Sequence, residues 1–439
     1  MKKALINLFC AFILNKQKRK EIRNKLTVKF IKDRENSKYY AQFVKFLENK
    51  DNRDSFVSIT KLEPKKFDTK IIAFYLPQFY PIALNNAHHG QGFTEWFNVT
   101  KAFPNFTGHH QPHLPIDVGF YDLTHTDVMF RQIELAKLYG VYGFCAHYYW
   151  FSGEKLLNKP FENYLADKRL DLPFCFCWAL ENWTRKWDTG TQELIIEQKF
   201  QDSDAQKFFD DIKPFWQDER YIRIDSKPIL IIYKPHLFEK QKVVAFLDKL
   251  RKLSKQNGIG DLYIIYARTA DLFEKGIAEN DSAQWGFDAY CDFPPHNLRN
   301  NIDKSLNVPV KKLQGYINPK FEGTVYDMQK YIDDEIYKRQ KNDGYTLFKT
   351  CFPLWDNTPR FQRNPSIMDG MTPELYKKWL LYSIDWTKRN HDKNSQIVFI
   401  NAWNEWAEGA HLEPCRRYGY AFLEATRSAL EMSQMQDKK

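Results

Sequence analysis

Short apolar runs recur along the chain at 71–76, 141–146, 172–177, 229–233, 262–266, 287–290, 347–352 and 397–400. Each is four to six residues long and rich in β-branched or aromatic side chains, the pattern of strands buried on both faces. Between most of them lie stretches with apolar residues at three- and four-residue spacing, at 127–139, 205–215, 242–253, 328–339 and 373–389. These spacings predict amphipathic helices. Eight strands alternating with helices between Ile71 and Ile400 predict an α/β fold, a (β/α)8 barrel with long strand-to-helix loops.

The polar and aromatic positions that interrupt this rhythm fall after the strands. The first strand is followed by Gln78 and the second by His147, Tyr148, Tyr149 and Trp150. The third is followed by Trp178, Glu181, Asn182, Trp183, Arg185 and Trp187. Lys234, Arg268 and Asp292 follow the next three, and Trp355, Asp356 and Arg360 the seventh. The C-terminal ends of the strands are where barrels build their sites, so these positions are candidates for substrate contact. Trp183, Trp187 and Trp355 are candidate stacking platforms. Arg185 and Arg360 are candidate contacts for hydroxyls or an anionic sugar, and His147 is a polar site residue.

The densest chemistry follows the eighth run. Residues 396–414 read QIVFINAWNEWAEGAHLEP, in which Asn401, Trp403, Asn404, Glu405, Trp406 and Glu408 leave a buried strand within eight residues. A helical turn over 405–408 would set both carboxylates on one side, their Cβ atoms about 5–6 Å apart. Two carboxyls so close to each other and to indoles cannot easily both ionise. One proton affinity rises, separating an acid from a base or nucleophile. Paired carboxylates suit glycosidic bonds, with separations of about 5 Å for retention and wider ones for inversion. The plain alternative is an exposed turn with two solvated glutamates, which would have no need of Trp403 and Trp406.

A long insert at 84–117 carries Glu95 and Trp96, added to the substrate-contact candidates, together with His88, His89, His109, His110 and His113. Adjacent histidines lack the i, i+4 spacing of a helical metal site, so the insert reads as a wall or lid over the barrel mouth. No metal or cofactor is implied. The chain has no Walker loop and no GxGxxG after a strand, which disfavours a nucleotide-binding Rossmann domain. Asp202-Ser203-Asp204 reads as a helix cap.

Net charge is +10 over 439 residues, and residues 2–50 hold essentially all of it, with 11 Lys and 3 Arg against four acids. A basic arm on a balanced body suggests an anionic surface as partner and argues against nucleic acid. The first fourteen residues resemble a secretion signal, but the basic run that follows has no small-residue cleavage site. The largely apolar run at 4–14, eleven residues long, is too short to cross a bilayer, which takes about 20. The reading is peripheral contact with the inner face of an anionic membrane through residues 1–25, with an uncleaved signal as the alternative. Residues 1–66 form an arm and linker, and 67–439 a catalytic domain. Seven scattered cysteines without a CxxC pair point to a reducing, cytoplasmic compartment. Aromatic content of 16% leans toward a carbohydrate cleft without deciding it.

From about Lys70 to Leu430 the chain resembles the WbsX-type family, the glycoside hydrolase family 99-like proteins of bacterial polysaccharide gene clusters. The blocks that carry the resemblance are AFYLPQFYPI (73–82), GQGFTEWFNV (90–99), YGFCAHYYWFSGEKLL (142–157), PFCFCWALENWTRKWD (173–188), KPILIIYKP (227–235), FPLWDNTPR (352–360) and NAWNEWAEGAHLEP (401–414). Leu180, Leu354 and Cys415 stand where the family pattern has Asn, Gly and Asp. The resemblance implies a retaining barrel enzyme with neighbouring-group chemistry. Glu405 would take the proton of the sugar 2-OH, so that this oxygen attacks C1 and gives a 1,2-anhydro intermediate. Glu408 would protonate the leaving oxygen, then act as base toward the acceptor. It implies an oligo- or polysaccharide substrate and a glycosyltransferase-like role in O-antigen or capsule assembly. An endo-acting, mannanase-like hydrolase and a non-catalytic sugar-binding protein remain as alternatives.

Overall fold

The computed structural model describes residues 10–11, 13, 15–35, 55–184, 193–269, 283–295, 317–318, 320–338 and 346–437. Eight parallel strands form the barrel: β1 (Lys70–Tyr75), β2 (Val141–Phe151), β3 (Phe174–Ala179), β4 (Lys227–Tyr233), β5 (Tyr263–Arg268), β6 (Ala289–Asp292), β7 and β8 (Ile397–Ile400). Strand β7 consists of two short pieces, Leu347–Phe348 and Thr350–Cys351. The first pairs with β6 and the second with β8, while β8 pairs with β1, so the bisected strand closes the ring. The expected strands are all present, and the helices Thr126–Leu138, Asp204–Trp216, Lys240–Gln256, Met328–Lys338 and Pro373–Asn390 cover them where the apolar spacing places helices.

Burial explains the composition of the strands. All four side chains of β8 are fully buried, as are most of β1 and β4. A parallel strand lies between the barrel interior and a helix, so both of its faces must be apolar. Fully burying each such side chain contributes about 1.5–3 kcal/mol. The helix Ala421–Gln436 packs against Pro373–Asn390, with Tyr376 Oη 3.1 Å from Thr426 Oγ1.

Two differences from the sequence pattern matter for the site. Strand β2 runs five residues past its apolar core, through His147-Tyr148-Tyr149-Trp150, and turns into a hairpin with Glu154–Leu156. Upstream, residues 55–67 lie against the body, with Val57 bonded to Tyr418 and Tyr420 through its backbone. Those backbone bonds leave no trace in composition, which changes only at Thr69. Helix Lys16–Glu35 follows the N-terminal run, of which residues 1–9 lie outside the described residues. Among the described residues no helix is long and apolar enough to cross a membrane.

Candidate active site

A cavity of about 300 Å³ opens at the C-terminal ends of the strands. One wall comes from β7 and β8 and carries Trp355, Asn357, Arg360, Asn401, Glu405 and Glu408. The opposite wall comes from β3 and β4 and carries Glu181, Asn182, Trp183 and Lys234. Gln78, His147, Tyr149, Tyr233 and Phe293 line the space between them.

The glutamate segment is tighter than the expected helical turn. Asn404–Glu405 pairs antiparallel with Ala410–His411, and a single 3-10 turn, Trp406–Glu408, joins them. Gly409 closes that turn at φ 66°, where a Cβ would sit 2.9 Å from the backbone nitrogen of Asp356. Glycine is required there both by the left-handed backbone and by the close approach. The reason for the approach is a hydrogen bond of 2.7 Å from Asp356 N–H to the Glu408 carbonyl, which ties the β7 loop to the β8 hairpin.

Both carboxylates meet one guanidinium. Arg360 donates from Nη2 to Glu405 Oε2 at 3.1 Å, from Nη1 to Glu408 Oε1 at 2.6 Å, and from Nε to Glu95 Oε1 at 2.9 Å. Three carboxylates on one buried cation leave an excess of negative charge in low dielectric. Burial, with Glu408 and Glu95 close by, outweighs the pull of Arg360 and pushes Glu405 up to about 8. His147 Nε2 stands 3.8 Å from Glu405 Oε1, but burial and then Arg360 hold the imidazole down to about 4. The contact at neutral pH is therefore one between a neutral ring and a carboxyl, not an ion pair. Burial and the Glu405 carboxyl hold Tyr149 well above the ordinary phenol range, so it faces the cavity as a neutral hydroxyl.

Among the proposed sugar contacts, Gln78, His147, Glu181, Asn182, Trp183, Trp355, Arg360 and Asn401 lie on the cavity wall with the glutamate pair. Trp183 stands edge-on to Tyr149 with ring centroids 5.0 Å apart, half-exposed. Arg185 and Trp187 lie outside the described residues.

The remaining contacts are corrected by their positions. Tyr148, Trp150 and Trp178 face away from the cavity, because side chains alternate along β2 and β3 and these take the outward register. All three pack on Phe208 of the Asp204–Trp216 helix, and the Trp150 indole donates to Asp211 at 2.8 Å. Trp96 packs between Phe79, Tyr121 and Trp406 and donates to the Tyr121 carbonyl. Trp403 is fully buried against Phe144. Asn404 spends its amide on the backbone of Leu76, accepting its N–H at 2.7 Å and donating to its carbonyl at 3.0 Å. Asp356 is clamped by His109 Nε2 and Gln111 Nε2, both at 2.6 Å, and by Thr358. Burial opposes its charge, yet His109 and the bonds from Thr358 and Gln111 hold its carboxyl down to about 2. Glu95 is fully buried against Arg360, and its charge helps to raise Glu405.

The histidine-rich insert divides accordingly. His89 reaches the cavity wall, whereas His109 holds Asp356. His113 donates from Nδ1 to His411 Nε2 at 3.0 Å, because His411 Nδ1 is committed to the Glu413 carbonyl at 2.9 Å. Lys234 and Tyr149, both at the C-terminal ends of strands, line the cavity as well, Tyr149 on the same face of β2 as His147. Lys234 sits at φ 57°, a left-handed backbone rare for lysine, and its Nζ reaches Glu181 at 2.8 Å.

A parallel barrel with a carboxylate pair on a guanidinium at its C-terminal mouth is the architecture of this chain, and the barrel is shared with solved structures. Two structures of the family GH99 endo-alpha-mannosidase from Bacteroides thetaiotaomicron, one in complex with bis-tris-propane, superpose with a TM-score of 0.52. They are 14% and 13% identical and cover 85% of this chain and 100% of theirs. A glycoside hydrolase-like protein superposes at 0.50 with 15% identity, covering 86% of this chain and 98% of its own. The family model for Glycosyltransferase WbsX matches residues 71–426, and the chain belongs to that family of carbohydrate-active proteins. The protein WxcX, uncharacterised, from two strains of Xanthomonas campestris pv. campestris, is 40% identical over 367 residues, 84% of this chain. The chain spans about half the length of those relatives, 50% in each case.

Proposed function

We propose that the chain is a retaining, two-glutamate enzyme that transfers a sugar during assembly of a bacterial surface polysaccharide, such as an O-antigen or capsule. The observation that carries this reading is one guanidinium holding Glu405 and Glu408 on the wall of one cavity in unequal surroundings. Glu405, ionised, takes the proton of the 2-OH as O2 bonds to C1. The C1–leaving-oxygen bond breaks as Glu408 gives that oxygen a proton, leaving a 1,2-anhydro sugar. An acceptor hydroxyl then opens the ring at C1 and passes its proton to Glu408, while O2 recovers its own from Glu405. Two inversions at C1 give retention. A carboxyl pushed up to about 8 is a stronger base than an ordinary glutamate, which suits it to a sugar hydroxyl. Trp183 and Trp355 offer ring faces, and Gln78, His147, Asn182 and Asn401 offer hydroxyl partners. The basic arm at residues 1–25 would hold the catalytic domain, 67–439, at the cytoplasmic face of the membrane where such glycans are built.

The endo-alpha-mannosidase likeness favours a second reading, hydrolysis, in which water takes the place of the acceptor. Single Glu405→Gln and Glu408→Gln variants assayed on methylumbelliferyl α-mannobioside, with and without mannose as acceptor, test both. Turnover should fall by about 10²–10⁴ in each variant, with glycan binding retained. Longer glycosides formed with added mannose identify transfer, and free sugar alone identifies hydrolysis. Undiminished turnover in both variants would leave a sugar-binding protein and overturn the mechanism.

A further inference from the structure

Glu413 stands eight residues beyond Glu405, outside the cavity, 2% exposed. It is a carboxylate with four hydrogen-bond donors. Oε1 accepts from Gln132 Nε2 at 2.7 Å and from Trp403 Nε1 at 3.1 Å. Oε2 accepts from Trp406 Nε1 at 2.6 Å and from Tyr121 Oη at 2.9 Å. Trp403 and Trp406 flank Asn404-Glu405 in the chain, so one side chain grips the segment on both sides of the proposed base. Tyr121 Oη also accepts from Asn404 Nδ2 at 3.1 Å, and Gln132 Oε1 accepts from Tyr75 Oη at 2.9 Å. The same network thus ties the segment to β1 and to the Thr126–Leu138 helix.

We propose that Glu413 is a positioning residue for the glutamate pair, an ionised carboxylate that takes the indole N–H of both Trp403 and Trp406 and so fixes where Glu405 sits. The proposal rests on the two-glutamate reading but makes a claim of its own about the indoles. Indole N–H groups only donate, so neither tryptophan can reverse its bond to suit a neutral partner. Any proton or amide N–H placed on the Glu413 head group must face one of its four donors. Tyr121 and Gln132 can turn to accept, and the indoles cannot. A buried donor that loses its acceptor pays the full desolvation cost of the group.

The surroundings make the titration readable. Burial pushes Glu413 up to about 7, against the four donors that favour its charge. His411, bonded to its backbone carbonyl, is held down to about 4 by burial, and burial keeps Tyr75 and Tyr121 well above the phenol range. Within this cluster Glu413 is therefore the group that changes charge near neutrality.

The test is the indole ¹H–¹⁵N spectrum of the full chain, with Trp403 and Trp406 assigned by single Trp→Phe variants. Titration in the Glu405→Gln background removes the neighbouring carboxyl from the readout. Both resonances should move together as pH falls through about 7, and Glu413→Gln should displace both at pH 8 while the other indoles stay in place. On methylumbelliferyl α-mannobioside, Glu413→Gln should lower kcat about 100-fold with KM within about twofold, and Glu413→Asp should recover part of the loss. Indole resonances that ignore both the titration and the Gln substitution overturn the proposal whether or not the glycoside is turned over. A kcat unchanged in a folded Glu413→Gln protein also overturns it. If that variant does not fold, the titration of the parent decides alone. Loss of turnover in Glu405→Gln and Glu408→Gln with silent indoles would keep the mechanism and remove Glu413 from it.

Discussion

The two walls of the cavity use the same chemical types in opposite ways. On the β7–β8 side, Arg360, Glu405 and Glu408 have side chains 7%, 8% and 16% exposed and form a closed charge cluster with Glu95. On the β3–β4 side, Glu181 and Lys234 form one ion pair, 38% and 18% exposed. In the first wall water cannot screen the charges, so proximity is converted into altered proton affinity. In the second, solvent screens the pair and its worth to the fold is small. Burial, more than residue identity, separates a wall whose charges alter one another's proton affinity from one whose charges water screens.

Removing the cation should break this contrast most severely. Arg360→Met strands three carboxylates without a counter-charge, and stability at pH 8 should fall by about 3–5 kcal/mol. Thermal unfolding should show the loss shrinking at pH 5, where the carboxyls can take up protons. An equal loss at both pH values would mean that Arg360 acts by packing alone. A smaller effect should come from Glu95→Gln. Glu95 raises Glu405, so its neutralisation should move the ascending limb of turnover to lower pH than the limb near 8 expected of the parent. The sign for stability is opposite to that for turnover. The folded form of Glu405 holds its proton up to about 8, whereas an unfolded glutamate releases it near 4.5. Stability from this group is thus full below about 4.5 and is lost as pH rises through about 8. The mildest change should be Lys234→Met, costing less than about 1 kcal/mol of stability. It should raise KM on methylumbelliferyl α-mannobioside, with kcat little altered. A kcat loss as large as that of Glu405→Gln would show that the two walls do not divide the work.

The sequence pattern was most informative where one physical rule governs. Buried parallel strands are apolar on both faces, so the eight runs marked the barrel, and the Asn401–Glu408 cluster marked its mouth. Elsewhere two rules compete. Tyr148 and Trp150 follow a strand-like run and resemble loop residues, but β2 continues through them and its alternation turns them outward while His147 and Tyr149 face the cavity. The aromatic residues Trp96, Trp178 and Trp403 are equally at home in a sugar cleft and in a core, and here packing claims them. The convergence of Glu95, Arg360 and the glutamate pair joins positions up to 313 residues apart, and no local period encodes it. The family resemblance implies a division of labour between Glu405 and Glu408, which spacing alone leaves open.

The bisected seventh strand gives the chain a tolerance for change. Its second half is anchored to β8, where the N–H of Phe399 meets the carbonyl of Lys349 and that of Asn401 meets Cys351. Arg360 is therefore indexed to the hairpin it serves by the strand nine residues before it. Length changes in loops outside this backbone pairing can then accumulate over evolutionary time while the guanidinium stays aligned with its carboxylates. A lineage could vary its other loops without moving Arg360 from Glu405 and Glu408.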